Sequence, residues 1–133
     1  MVTILAGAND CFQLKNATAA LANMVVLLNI TTSALPSARV LVASLLDVPS
    51  GPAKVCQLAF NAALPALVAR AGARVTYVPL AENTQGVCGD NKTEWSIGDG
   101  VHPNAAGHAR VASVFALFMR RALCPNFSVD HAC

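Results

Sequence analysis

The chain has 133 residues, enough for one domain that buries roughly two thirds of its unfolded surface. Hydrophobic residues make up 55% and charged residues only 12%, with 9 Lys and Arg against 7 Asp and Glu, so the surface must draw on small and uncharged polar side chains. The basic residues are scattered apart from the pair Arg120 and Arg121, and no concentrated basic face with interleaved aromatics is present, which excludes a nucleic-acid binder.

"VTIL" (Val2 to Leu5) is a short β-branched apolar run, predicted as a buried strand that ends in the loop "AGAND". From about Asn16 to Ser33 the pattern is helical, with Leu21, Met24, Val25 and Leu28 on one face; Pro36 closes it. The apolar stretch "ATAALANMVVLLNI" in this region is broken by Asn23 and Asn29 and falls short of the ~18 uninterrupted apolar residues of a spanning helix, so no membrane span is expected. "ARVLVASLL" (Ala38 to Leu46) is too continuously apolar for a sheet with one wet face and reads as a parallel strand covered on both sides. After the turn "DVPSGP", a helix runs from Pro52 to about Ala71, with a kink expected at Pro65 and a stop at Gly72. "ARVTYVPL" is a third strand, followed by a long polar loop from Ala81 to Gly100 and a last helix from about Pro103 to Leu123.

The alternation of strands and helices implies a parallel sheet with helices on both faces. In such sheets ligands sit beyond the carboxyl ends of the strands. Those ends carry "AGAND", "DVPSG" and the loop leading into "DGVHP", so two polar motifs converge on one edge.

Asp99 and His102 suit an acid–base pair: a carboxylate accepting from one ring nitrogen fixes the tautomer and leaves the other nitrogen free to take a proton. Pro103 disfavours helical geometry at His102 and keeps it on the loop. The plainer alternative makes Asp99 a cap of the last helix and His102 a surface residue. His108 reads as a helix residue and His131 as part of a terminal tail. In "AGAND", Gly7 permits close backbone approach and Asn9 offers an amide to a developing oxyanion, although Gly, Asn and Asp are also ordinary turn residues. The five cysteines form no C-x-x-C or comparable pair, so no metal site is expected.

"AGAND" followed about 90 residues later by "DGVHPNAAGHARVA" resembles the third and fifth conserved blocks of the SGNH hydrolases, the GDSL-type lipases and esterases. The resemblance implies a three-layer α/β/α, flavodoxin-like fold and a Ser-His-Asp ester hydrolase that needs no cofactor. Carried over by motif, His102 is the general base, Asp99 orients it, Asn9 is the oxyanion asparagine and Gly7 plays a backbone role in the same block. The family's G-D-S nucleophile block and its oxyanion-glycine block do not occur in these 133 residues. Residues 1–133 are therefore expected to be the C-terminal part of an SGNH domain lacking its first strands, inactive by itself, with Met1 an internal methionine. In the family's sheet order this loss exposes one side of "VTIL", an unpaired apolar edge.

Three residues are geometric candidates to replace the serine: Ser50, Ser96 and Cys88, whose plainer roles are a helix cap, a loop residue and a disulfide partner. The expected substrate is a small-molecule or glycan ester; nothing in the sequence sets the oligomeric state. The competing reading is a non-catalytic remnant or pseudoenzyme that binds an acyl or glycan ligand; a small α/β binding domain with accidental motifs is a third. No basic leader precedes "VTIL", which by itself points to the cytoplasm. Four Asn-x-Ser/Thr sequons, at Asn16, Asn29, Asn91 and Asn126, together with Cys11, Cys56, Cys88, Cys124 and Cys133, point instead to a secreted parent glycoprotein.

Overall fold

A computed structural model of the chain describes residues 1–85, 87–90 and 95–124; the sequons at Asn91 and Asn126, and His131 and Cys133, lie outside them. The elements in chain order are β1 (Val2–Ile4), α1 (Ala8–Leu14), α2 (Ala17–Ala34), β2 (Val40–Ala43), α3 (Pro52–Arg70), β3 (Val75–Val78), α4 (Leu80–Asn83) and α5 (Ala105–Leu123). The three strands form one parallel sheet in the order β1-β2-β3, with Val2 opposite Val40 and Val40 opposite Val75. All four residues of β2 are fully buried, as its unbroken apolar sequence requires of a strand covered on both faces.

The two faces carry separate cores. On one, Ile4, Val40, Val42 and Val75 meet Met24 and Leu28 of α2 and Phe60, Leu64 and Leu67 of α3. On the other, Leu41, Ala43 and Val78 meet Val111, Val114, Phe115 and Phe118 of α5. The result is the expected three-layer α/β/α arrangement. Each fully buried Leu, Val or Phe stabilises this packing by roughly 1.5–3 kcal/mol, and Phe60 and Leu64 are both at 0% exposure.

The helix boundaries follow local chemistry. Asn16 caps α2 by accepting from the Thr18 and Ala19 amides at 2.9 and 3.3 Å. Its buried stripe is Ala20, Met24 and Leu28, a small rotation from the face predicted; Val25 is 42% exposed. Pro52 opens α3, and the helix continues through Pro65 to Arg70. By length and composition α2 and α3 are each long and apolar enough to cross a membrane, although the apolar stretch of α2 is interrupted by Asn23 and Asn29. Each sends one buried stripe into the core on one face of the sheet.

Two short helices were not foreseen. α1 spans seven residues, too few for a periodic signal, and α4 only four, where the region read as the third strand passes into the region read as loop. α1 is tied to α3 by a disulfide between Cys11 and Cys56, both buried. On its outer side β1 has no neighbouring strand among the described residues.

Candidate active site

The exit of β2 is fixed by an amide clamp. Asn61 of α3 accepts from the Leu45 N–H at 2.8 Å and donates to the Leu45 C=O at 2.9 Å, doing for this residue what a further strand would do. The chain beyond it carries Leu46, Asp47 and Val48 over the carboxyl edge of the sheet.

The exit of β1 turns on Gly7. Its φ of +114° is costly for any residue with a side chain, and a Cβ there would stand 3.1 Å from the Phe60 ring. Gly7 is the N-cap of α1, so Asn9 belongs to the first turn of that helix and not to the loop expected from "AGAND". Asn9 remains exposed at the sheet edge.

The third segment is a closed loop. The Ile97 N–H donates to the His102 C=O at 3.0 Å and the Asn104 N–H to the Trp95 C=O at 2.9 Å, pairing Ser96 with Pro103 in an antiparallel bridge. Gly100 lets this loop dock: the Gly89 N–H donates to its carbonyl at 2.7 Å, and a Cβ on Gly100 would meet the Gly89 carbonyl oxygen at 2.6 Å. Gly107, in the first turn of α5, is equally constrained, since a Cβ would stand 2.3 Å from the Trp95 carbonyl oxygen.

Within this loop Asp99 turns both carboxylate oxygens inward. Oδ1 accepts from the Val101 and His102 amides, each at 2.9 Å, and Oδ2 lies 2.6 Å from His102 Nδ1. These bonds, first the His102 amide and then its ring, hold the Asp99 carboxyl well below the usual carboxylate range. With Asp99 ionised, Nδ1 carries the shared proton and Nε2 is the open nitrogen. The His102 side chain is 70% exposed, so that nitrogen is accessible to a reactant. Asp99 is not the helix cap: Asn104 caps α5, accepting from the Gly107 amide at 3.0 Å. The sequence signal for this cap, an Asn directly before "AAGH", was passed over.

Asn9 and His102 line one cleft of about 240 Å³. Its walls are apolar, from Leu5, Phe12, Leu45, Leu46 and Val48, and Asp47 stands at its border. None of these wall residues was singled out from sequence, because they come from two segments far apart in the chain, residues 5–12 and 45–48. The cleft thus holds a side-chain amide and an imidazole aligned by a carboxylate, set in an apolar surround that would suit a short acyl group.

The three serine substitutes do not line this cleft. Ser50 donates its hydroxyl to Asp90 Oδ1 at 2.9 Å and does not cap α3, whose N-cap is Gly51. Ser96 Oγ accepts from the Gly98 amide. Cys88 is a buried free thiol that donates to the Val101 C=O at 3.2 Å, so the disulfide role expected for it does not hold. Burial, and then the Asp99 charge, push its pKa up to about 11, which leaves it a poor nucleophile. His108 lies on the exposed side of α5. Among the described residues no group of three or more His, Cys, Asp or Glu is placed to hold a metal ion.

The model of the family described as GDSL-like Lipase/Acylhydrolase matches residues 1–110. An acetyl esterase mutant crystallised with an acetate ion is similar in structure, with a TM-score of 0.68 at 22% identity over 89% of this chain and 56% of that one. A carbohydrate esterase family 3 protein from Talaromyces cellulolyticus gives 0.66 at 23% identity, over 96% of this chain and 60% of that one. At these identities the likeness is one of fold, and this chain spans less than two thirds of the length of either structure. No curated protein matches the chain.

Proposed function

The chain belongs to the GDSL-like lipase/acylhydrolase family, and on that premise we propose that it is the C-terminal part of an ester hydrolase domain, carrying the base and part of the oxyanion site. The observation that carries this reading is the Asp99–His102 bond of 2.6 Å at the mouth of a cleft that Asn9 also lines. In the proposed chemistry, Nε2 of His102 takes the proton of an attacking serine and returns it to the leaving alcohol. Asp99 holds the imidazole in the required tautomer and balances the imidazolium. The Asn9 amide donates to the oxygen on which charge builds in the tetrahedral intermediate, a contribution worth about 10²–10³ in turnover in comparable sites.

The serine and the family's oxyanion glycine are to be supplied from residues outside this sequence, in which no G-D-S occurs. Removing a serine nucleophile costs about 10⁶ in turnover, so these 133 residues alone are expected to be inactive. The outer side of β1, which has no neighbouring strand among the described residues, agrees with this reading. The proposed substrates are small-molecule or glycan esters. A second reading, a non-catalytic protein whose cleft binds an acyl or glycan ligand, is favoured by the same missing G-D-S block.

We extend the proposal to a secreted parent protein. The Cys11–Cys56 disulfide and the exposed sequons at Asn16 and Asn29 support it.

The test is hydrolysis of a short-chain p-nitrophenyl ester by the purified chain beside its His102→Ala variant. Equal rates at the background level are expected. Turnover lost in the variant would place a nucleophile within this sequence and overturn the incomplete-site reading.

A further inference from the structure

The fold gathers charge that the sequence scatters. α2, α3 and α5 each start at the carboxyl edge of the sheet and run back along it, so their C-terminal ends lie at the amino edge, opposite the His102 cleft. Arg39 and Arg74 lead into β2 and β3, Arg70 closes α3, and Arg120 and Arg121 stand in the last turn of α5. All five are exposed, and none forms an ion pair among the described residues. The described carboxylates belong to the other edge: Asp10 in α1, Asp47 after β2, Glu82 in α4, and Asp90 and Asp99 in the segments after it.

Arg39 and Arg74 show what this segregation costs. Val40 stands opposite Val75, and the Val40 N–H donates to the Arg74 C=O at 2.9 Å. The two arginines therefore enter neighbouring strands side by side, with backbones about 4.8 Å apart. Their like charges repel, and no described carboxylate at this edge offsets them. An anionic partner relieves that repulsion.

The rest of the edge narrows what the partner is. Its two loops, residues 34–39 and 70–74, are built from small, apolar or basic residues. Leu35 in the first loop, Ile30 just before it in α2, and Leu123 at the end of α5 are exposed large apolar side chains. Beside them an open groove of about 190 Å³ between α2 and α3 is lined by Leu28, Leu67, Ala71 and Arg70. A soluble polyanion would use the arginines and leave these aliphatic side chains in water. A bilayer interface uses both: guanidinium groups meet anionic headgroups, and aliphatic side chains enter the boundary between headgroups and acyl chains.

We propose that the amino edge of the sheet docks on a membrane surface rich in anionic lipid, which turns the His102 cleft at the opposite edge toward solvent. This docking does not depend on the ester-hydrolase reading.

The test is co-sedimentation of the full chain with phosphatidylcholine vesicles, with and without phosphatidylserine, beside binding to heparin as a soluble polyanion. Sedimentation with the phosphatidylserine vesicles alone is expected, weakening as salt is raised. Arg39→Gln/Arg74→Gln should lower the partition about 25-fold, about fivefold for each arginine at an anionic surface. Leu35→Ser/Leu123→Ser, which keeps every charge, should lower it about tenfold. Lys15→Gln, at the carboxyl edge, should leave it unchanged. All of these positions are exposed, so each variant should keep the circular dichroism of the parent chain. Arg39→Gln alone, which removes the repulsion from Arg74, should not lower the urea midpoint. No sedimentation with phosphatidylserine vesicles, equal sedimentation with phosphatidylcholine alone, or a loss in Lys15→Gln as large as that of one arginine would overturn the docking. Heparin binding, together with vesicle binding that the leucine variant leaves unchanged, would assign the edge to a soluble polyanion and reject the membrane.

Discussion

Removing the bridge between Cys11 and Cys56 should cost the chain a large part of its stability and loosen the helix that carries Asn9. The bridge closes a loop of 45 residues with a Cα–Cα distance of 5.3 Å. Chain-entropy reasoning for a loop of this length gives about 4 kcal/mol at 25 °C. Cys11 and Cys56 are 2% and 3% exposed, so a Cys11→Ala/Cys56→Ala variant also loses some sulfur packing. A total loss of roughly 3–5 kcal/mol is expected, against the 5–15 kcal/mol that keeps a typical domain folded. Urea unfolding of the oxidised chain and the variant, followed by circular dichroism, measures the difference. Amide exchange over residues 8–14 reports whether α1 is the element released. A loss below about 1 kcal/mol, smaller than the usual range for a native bridge, or exchange in α1 that does not change, would refute the argument that the disulfide anchors this edge of the site.

Asp99 should titrate far below its ordinary value of 3.8. Its depressed pKa means that ionisation stabilises the folded loop fully above that value, and that this stability fades as pH falls through the folded pKa. An NMR titration of its carboxyl carbon should therefore find it still ionised at pH 3.8, and a midpoint near 3.8 would show that the bonds to His102 and Val101 do not form. Cys88, buried and with its pKa raised to about 11, should resist iodoacetamide at pH 8 in the folded chain and react fully in urea. Native labelling as fast as that of a free thiol would contradict its burial.

The parts of the fold that were legible in the sequence are those with a repeating physical signal. β2 could be read because eight of the nine residues of "ARVLVASLL", all but Arg39, are apolar or small, and α5 because its apolar residues recur at helical spacing. Asp99 and His102 were legible because three residues and a proline constrain where both side chains go. α1 was not, since seven residues give less than two helical turns and its start is set by Gly7 against Phe60, a contact with a residue 53 positions away. The walls of the His102 cleft were hidden for the same reason: they depend on which segments the sheet brings together.

The central claim, that His102, Asp99 and Asn9 are competent partners for a serine this sequence does not contain, is tested most directly by adding one. A fusion that places the G-D-S-bearing N-terminal strands of a GDSL-type esterase ahead of Val2 should fold and hydrolyse a short-chain p-nitrophenyl ester. His102→Ala in that fusion should then lower turnover by at least about 10³ and Asn9→Ala by about 10²–10³. A folded fusion without turnover, or one whose turnover survives His102→Ala, would contradict the account.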